Sequence, residues 1–120
     1  MDHRKENSSN AINETILKQE CTFMYALSLI GKRWKPAILW KMTEGIDRFA
    51  ELKRVIPQIS EKMLIQHLRE LETDGLITRT IHSKKPLNVT YNLTDMGKRL
   101  KPLLTELDDW GTYAKSANNA

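Results

Sequence analysis

Apolar side chains recur along this chain first at helical spacing, then at the alternation of a strand, then at helical spacing again. Residues 1–10, MDHRKENSSN, have no apolar period, so a disordered tail is expected there. Ala11, Ile12, Ile16 and Leu17 open an amphipathic stretch that fits a short helix. Phe23, Leu27, Ile30 and Trp34 follow at steps of four, three and four, predicting one buried helical stripe that Gly31, Lys32 and Arg33 interrupt. Pro36 suits the first turn of a new helix, with Ile38, Leu39 and Met42 facing inward and Gly45 as its C-cap. Phe49, Leu52, Val55 and Ile56 then predict a short helix that Pro57 stops.

Ser60 is a good N-cap, and the helix it starts, about 60–73, buries Leu64, Leu68 and Leu71 and ends near Gly75. Lys62, Ile65, Gln66, Arg69 and Thr73 lie on its opposite face, with His67 on the border. From Leu87 the period becomes two: Leu87, Val89, Tyr91 and Leu93 predict a strand with one buried face. Leu76 to His82 is its antiparallel partner, with Ser83 to Pro86 as the loop, giving a hairpin over about 76–93. Thr94 caps a last helix, about 94–115, through Met96, Leu100, Leu103, Leu104, Leu107 and Trp110, with a kink expected at Pro102. Two short helices, a longer one and a hairpin are the order of a winged helix-turn-helix. The expected class is therefore α+β, mostly α, with a two-stranded wing and terminal dimerisation helices, as one domain over residues 11–120.

At 120 residues and 40% apolar content the chain has one modest core, and a domain of this size gains from dimerising. The net charge of +4 matters through its distribution: residues 1–20 carry three basic and four acidic groups, 31–86 twelve and seven, and 87–120 four and four. The excess of cations sits on the motif, which suits duplex DNA. No apolar run approaches the roughly 18 residues of a membrane span, and the first residues are not a secretory signal, so a cytoplasmic protein is expected. One cysteine cannot close an internal disulfide, and His3, His67 and His82 have no metal-ligand spacing with Cys21. With no glycine-rich phosphate loop and no nucleophile elbow, neither an enzyme nor a bound metal or cofactor is expected.

Gln66 and Arg69 are the candidates for reading base edges, since an amide pairs with adenine and a guanidinium with guanine in the major groove. Lys62 is placed for a base or a phosphate, and Ser60 for a phosphate at the helix N-terminus. His67 either reaches DNA or is a structural or solvated histidine. Arg79, Lys84 and Lys85 suit phosphates or a narrow minor groove from the hairpin, and Lys32 and Arg33 are weaker phosphate candidates. The alternative for all of these is a solvated face, with Arg69 paired to Glu70 or Glu72. Trp34, Trp40 and Tyr91 are expected to fill the core, with a small-molecule pocket as the second reading. Leu103, Leu107 and Trp110 offer more apolar surface than a small core uses, which suggests a dimer interface with Trp110 as anchor. Cys21 is either an inert, partly buried thiol or a reactive one.

The segments GKRWK with ILW behind it, RFAELKRVIPQIS, KMLIQHLRELETDGLITR and PLNVTYNLTDMGKRL stand in order between Cys21 and Gly111. In that arrangement the chain resembles the HxlR-type transcriptional regulators, winged-helix proteins related to the MarR group. The resemblance implies a homodimer on an inverted-repeat operator, with the second motif helix in the major groove and terminal helices building the dimer. It also implies a redox- or electrophile-sensing role for Cys21, which stands where members of the family carry a cysteine. Thr22 and Gln58 depart from the proline and glycine common at those places. A winged-helix module that docks on proteins without specific DNA binding stays open as the alternative.

Overall fold

A computed structural model describes residues 21–119; the expected tail at 1–10 and the amphipathic stretch beginning at Ala11 lie outside the described residues. The chain divides into two compact units, one ending at Arg33 and the other starting at Trp34. In the first, α1 spans Thr22–Ile30, with Cys21 at its N-cap accepting a hydrogen bond from the Tyr25 amide at 3.0 Å. The expected stripe exists but is not buried: Phe23 and Leu27 are exposed, and α1 has no buried residue. Apolar periodicity marks a face that needs cover; it does not say what supplies the cover.

The second unit starts with α2, Lys35–Thr43, with Pro36 in its first turn as expected. α3 follows at Phe49–Val55 and α4 at Glu61–Thr73. Their apolar stripes meet in one core, where Ile38, Leu39, Leu52, Leu64 and Leu71 are fully buried and Ile56 and Ile59 fill the turn between α3 and α4. Trp34, Trp40 and Tyr91, expected to fill this core, are only half-buried at its margin. α2 and α4 end alike. Gly45 and Gly75 adopt φ of 98° and 82°, and the next amide reaches back five residues, Ile46 to Lys41 at 3.3 Å and Leu76 to Leu71 at 2.9 Å. Only glycine enters that left-handed region without strain, so each helix stops where its glycine stands.

The wing pairs β1, Ile77–Lys84, with β2, Leu87–Leu93, antiparallel from Ile77 opposite Leu93 to Lys84 opposite Leu87. β1 runs two residues further than expected, so the loop is only Lys85 and Pro86, and His82 is the extra residue of a bulge between Ile81 and Ser83. The expected buried face of β2 is not uniform. Leu87 at the tip is exposed, Val89, Tyr91 and Leu93 are half-buried, and Thr90 on the other face is buried, held by His82 Nε2 at 2.8 Å. The connection between α2 and α3 is tied to β2 at two places, the Tyr91 amide to Asp47 O at 2.9 Å and, nearer the tip, Arg48 Nη1 to Asn88 Oδ1 at 2.6 Å.

Thr94 joins the wing to the C-terminal helices. Its hydroxyl donates to Gly75 O at 2.6 Å, its amide donates to Leu76 O at 3.0 Å, and its Oγ accepts the Gly97 amide at 3.1 Å. One residue thus ties the exit of α4 to the start of α5, Asp95–Lys98. The single kinked helix expected beyond Thr94 is two helices: Arg99 and Leu100 separate α5 from α6, Lys101–Asn118, and Pro102 sits in the first turn of α6. A proline at that place begins a helix rather than bending one, because its missing amide had no partner to lose. Leu104 is the one buried residue of α6.

Candidate nucleic-acid interface

α4 presents a polar face to solvent because its other face is committed. Leu64, His67, Leu68 and Leu71 are buried, which turns Lys62, Ile65, Gln66 and Arg69 to solvent. Ser60 caps the start, its Oγ accepting the Met63 amide at 3.1 Å, and Glu61 complements the positive end of the helix dipole. The cap therefore stands as expected, at the end where backbone amides face outward. Lys62, Gln66 and Arg69 border one shallow groove with Ile65, whose exposed side chain brings an apolar contact of the kind a thymine methyl accepts.

Arg69 forms no ion pair with Glu70, Glu72 or any other described residue, so its guanidinium is available. Glu70 is engaged elsewhere. Its Oε1 holds Lys35 Nζ at 2.8 Å and lies 3.4 Å from His67 Nδ1, while Oε2 accepts Gln66 Nε2 at 3.3 Å. The Lys35 ammonium, with the Gln66 amide next in importance, holds the Glu70 carboxyl down to about 2 from its ordinary 4.5. Lys35 is 3% exposed and His67 5%, so both belong to the interior. Of the two readings of His67, its burial supports the structural one, beside the Glu70–Lys35 pair that joins α4 to α2, over a DNA contact. The buried Lys35 was missed, although its spacing to Ile38, Leu39 and Met42 puts it on the inward stripe of α2.

The wing carries the remaining cations. Lys84 ends β1 and Lys85 forms the tip, both exposed, and Ser83 Oγ donates to Pro86 O at 2.8 Å to close the turn between them and Leu87. Arg79 lies at the other end of the hairpin, opposite Tyr91, and shares with Arg69, Glu72 and Tyr91 a notch of about 340 Å³ between α4 and the wing. The fold therefore brings Arg69 and Arg79 together, and sets Lys84 and Lys85 apart at the tip. Lys32 and Arg33 are exposed beyond α1 in the first unit. Leu103, Leu107 and Trp110 are all exposed on α6, as is Tyr113 three residues further on, which was not foreseen. Cys21 is half-buried and not in a disulfide. Among the described residues, no group of three potential metal ligands occurs and no helix is long and apolar enough to cross a membrane.

A protruding wing beside a helix with a free polar face is shared with known proteins. A family model described as HxlR-like helix-turn-helix matches residues 29–119. YkvN of Bacillus subtilis (strain 168), an uncharacterized HTH-type transcriptional regulator, is 46% identical over 96 residues, 80% of this chain and 81% of its own. The redox regulator HypR in its reduced form superposes with a TM-score of 0.77 at 34% identity, over 82% of this chain and 97% of that one. The reduced form of the transcriptional regulator YodB from B. subtilis gives 0.66 at 37% identity, over 75% and 88%.

Proposed function

Since the chain belongs to the HxlR-like helix-turn-helix family and is a DNA-binding transcriptional regulator, we propose that it acts in the cytoplasm as a homodimer on an inverted-repeat operator. α4 enters the major groove with Gln66 and Arg69 on base edges, Lys62 and the Ser60 end of the helix lie at the backbone, and the wing lays Lys84 and Lys85 on phosphates or in the minor groove. Arg79 flanks Arg69, and Lys32 and Arg33 add backbone contacts. The observation that carries this reading is the guanidinium of Arg69 on the solvent face of α4, which has no ion partner among the described residues.

Pairing of two copies is supported by α6, which exposes Leu103, Leu107, Trp110 and Tyr113. Beside them a groove of about 480 Å³ runs between α2 and α6, lined by Trp40, Leu104, Leu107 and Gly111. A small protein rarely leaves such surface uncovered, and a two-fold pair matches a palindrome. Modification of Cys21 by a thiol-reactive compound adds bulk at the head of α1 and alters operator affinity; the likeness to HypR, described as a redox regulator, supports this.

The test is to select bound fragments from genomic DNA and measure affinity for the recovered palindrome against salt. Specific binding that falls steeply with salt is expected; a footprint with no salt dependence, or no selected sequence, overturns the reading. For Cys21, operator release by a quinone should be lost in Cys21→Ser, and an equal response in both proteins excludes the thiol.

A further inference from the structure

Sequence patterning did not foresee the break between α5 and α6, and the break creates a cleft. About 460 Å³ opens between the end of α2, the base of the wing and the α5–α6 junction, within the size range of small-molecule sites. Met42, Ile46 and Leu93 supply apolar lining, and Lys98 and Lys101, from either side of the break, line the same space. Neither ammonium group bonds to another described residue. The one acid in the lining, Asp47, has its own cation outside the cleft, with Oδ1 3.9 Å from Arg48 Nε. Apolar lining beside two uncommitted ammonium groups favours an occupant with an apolar body and one negative end.

We propose that this cleft binds a small amphipathic anion, an aromatic or aliphatic carboxylate, and that its occupancy changes DNA affinity; the second half rests on the DNA-binding function above. The connection is Tyr91, which lines both the cleft and the notch holding Arg69 and Arg79. Its backbone amide is bonded to Asp47 O inside the cleft lining, and Arg79 is its cross-strand partner. An occupant pressing on Tyr91 therefore acts on the one residue common to both linings, beside Arg69 and Arg79.

The test uses full-length protein without DNA, titrated with 1-naphthoate or the neutral 1-naphthylmethanol while amide chemical shifts are followed. Naphthoate should perturb Ile46, Asp47, Tyr91 and Lys98 and bind about tenfold more tightly than the alcohol, the difference one charge-assisted contact makes. Lys98→Gln with Lys101→Gln should remove that advantage and leave the alcohol's affinity unchanged, which also shows that the variant is folded. No binding, shifts confined to α6, or equal affinity for acid and alcohol overturns the site. Saturating naphthoate should then move operator affinity at least about threefold, and binding with operator affinity unmoved overturns the effector role. Because the first readout needs no DNA, failure of the site and failure of operator recognition are distinguishable.

Discussion

Glu70 answers to three side chains at once, and its removal tests what it holds. Glu70→Ala leaves the Lys35 ammonium, 3% exposed, without its partner, and should cost about 2–4 kcal/mol in chemical denaturation, while adding Lys35→Met should return most of it. The pH dependence has a definite sign. With its carboxyl held near 2 when folded and ordinary, near 4.5, when unfolded, Glu70 contributes stability above pH 4.5 that is lost as pH falls toward 2. Acid unfolding midpoints of wild type and Glu70→Gln should therefore converge over that window; parallel curves would show that the carboxylate is not the group involved. Both inward polar residues were legible. Lys35 repeats with Ile38, Leu39 and Met42 as His67 repeats with Leu64, Leu68 and Leu71, each one member of a 0, 3, 4, 7 stripe. Treating charge as a mark of exposure hides such residues, because a buried cation is stable when a carboxylate faces it.

α4 and the wing divide the work differently from each other, and substitutions should separate them. Arg69→Ala removes a group able to pair with two guanine acceptors, so it should lower discrimination against a mismatched base by about tenfold or more while non-specific affinity changes little. Lys84→Ala with Lys85→Ala should weaken all duplexes alike and reduce the slope of log affinity against log salt by roughly two. Equal loss of discrimination in both variants would contradict this division. The ends of α2 and α4 were legible because caps and glycines mark them: Ser60 binds the Met63 amide, and Gly45 and Gly75 take positive φ. The wing's burial was not. Alternation in β2 predicts a uniformly buried face, but cover falls away along the strand toward Leu87 at the tip, which is exposed. The α5–α6 break was obscured for a related reason: Pro102 interrupts an unbroken apolar stripe, and the stripe does not distinguish a kink from a restart.

At the scale of the whole molecule, the proposed pairing through α6 sets whether one copy or two meet the DNA. Trp110 is 64% exposed, so Trp110→Asp should leave the protomer's thermal unfolding nearly unchanged. The same change should convert the proposed dimer to monomer in sedimentation and weaken operator binding far more than binding to a single half-site. An unaltered dimer would move the interface away from α6. Thr94 gives that pairing a further property. Three short bonds clamp the exit of α4 to the start of the C-terminal helices, leaving little slack between the surface that pairs protomers and the surface that reads bases. In the proposed dimer the two reading helices then stand like the points of a caliper. One base pair inserted between the half-sites turns the second by about 35° and should abolish paired binding, whereas changing the identity of a spacer base should be tolerated. On that reading the operator is recognised as a length as well as a sequence.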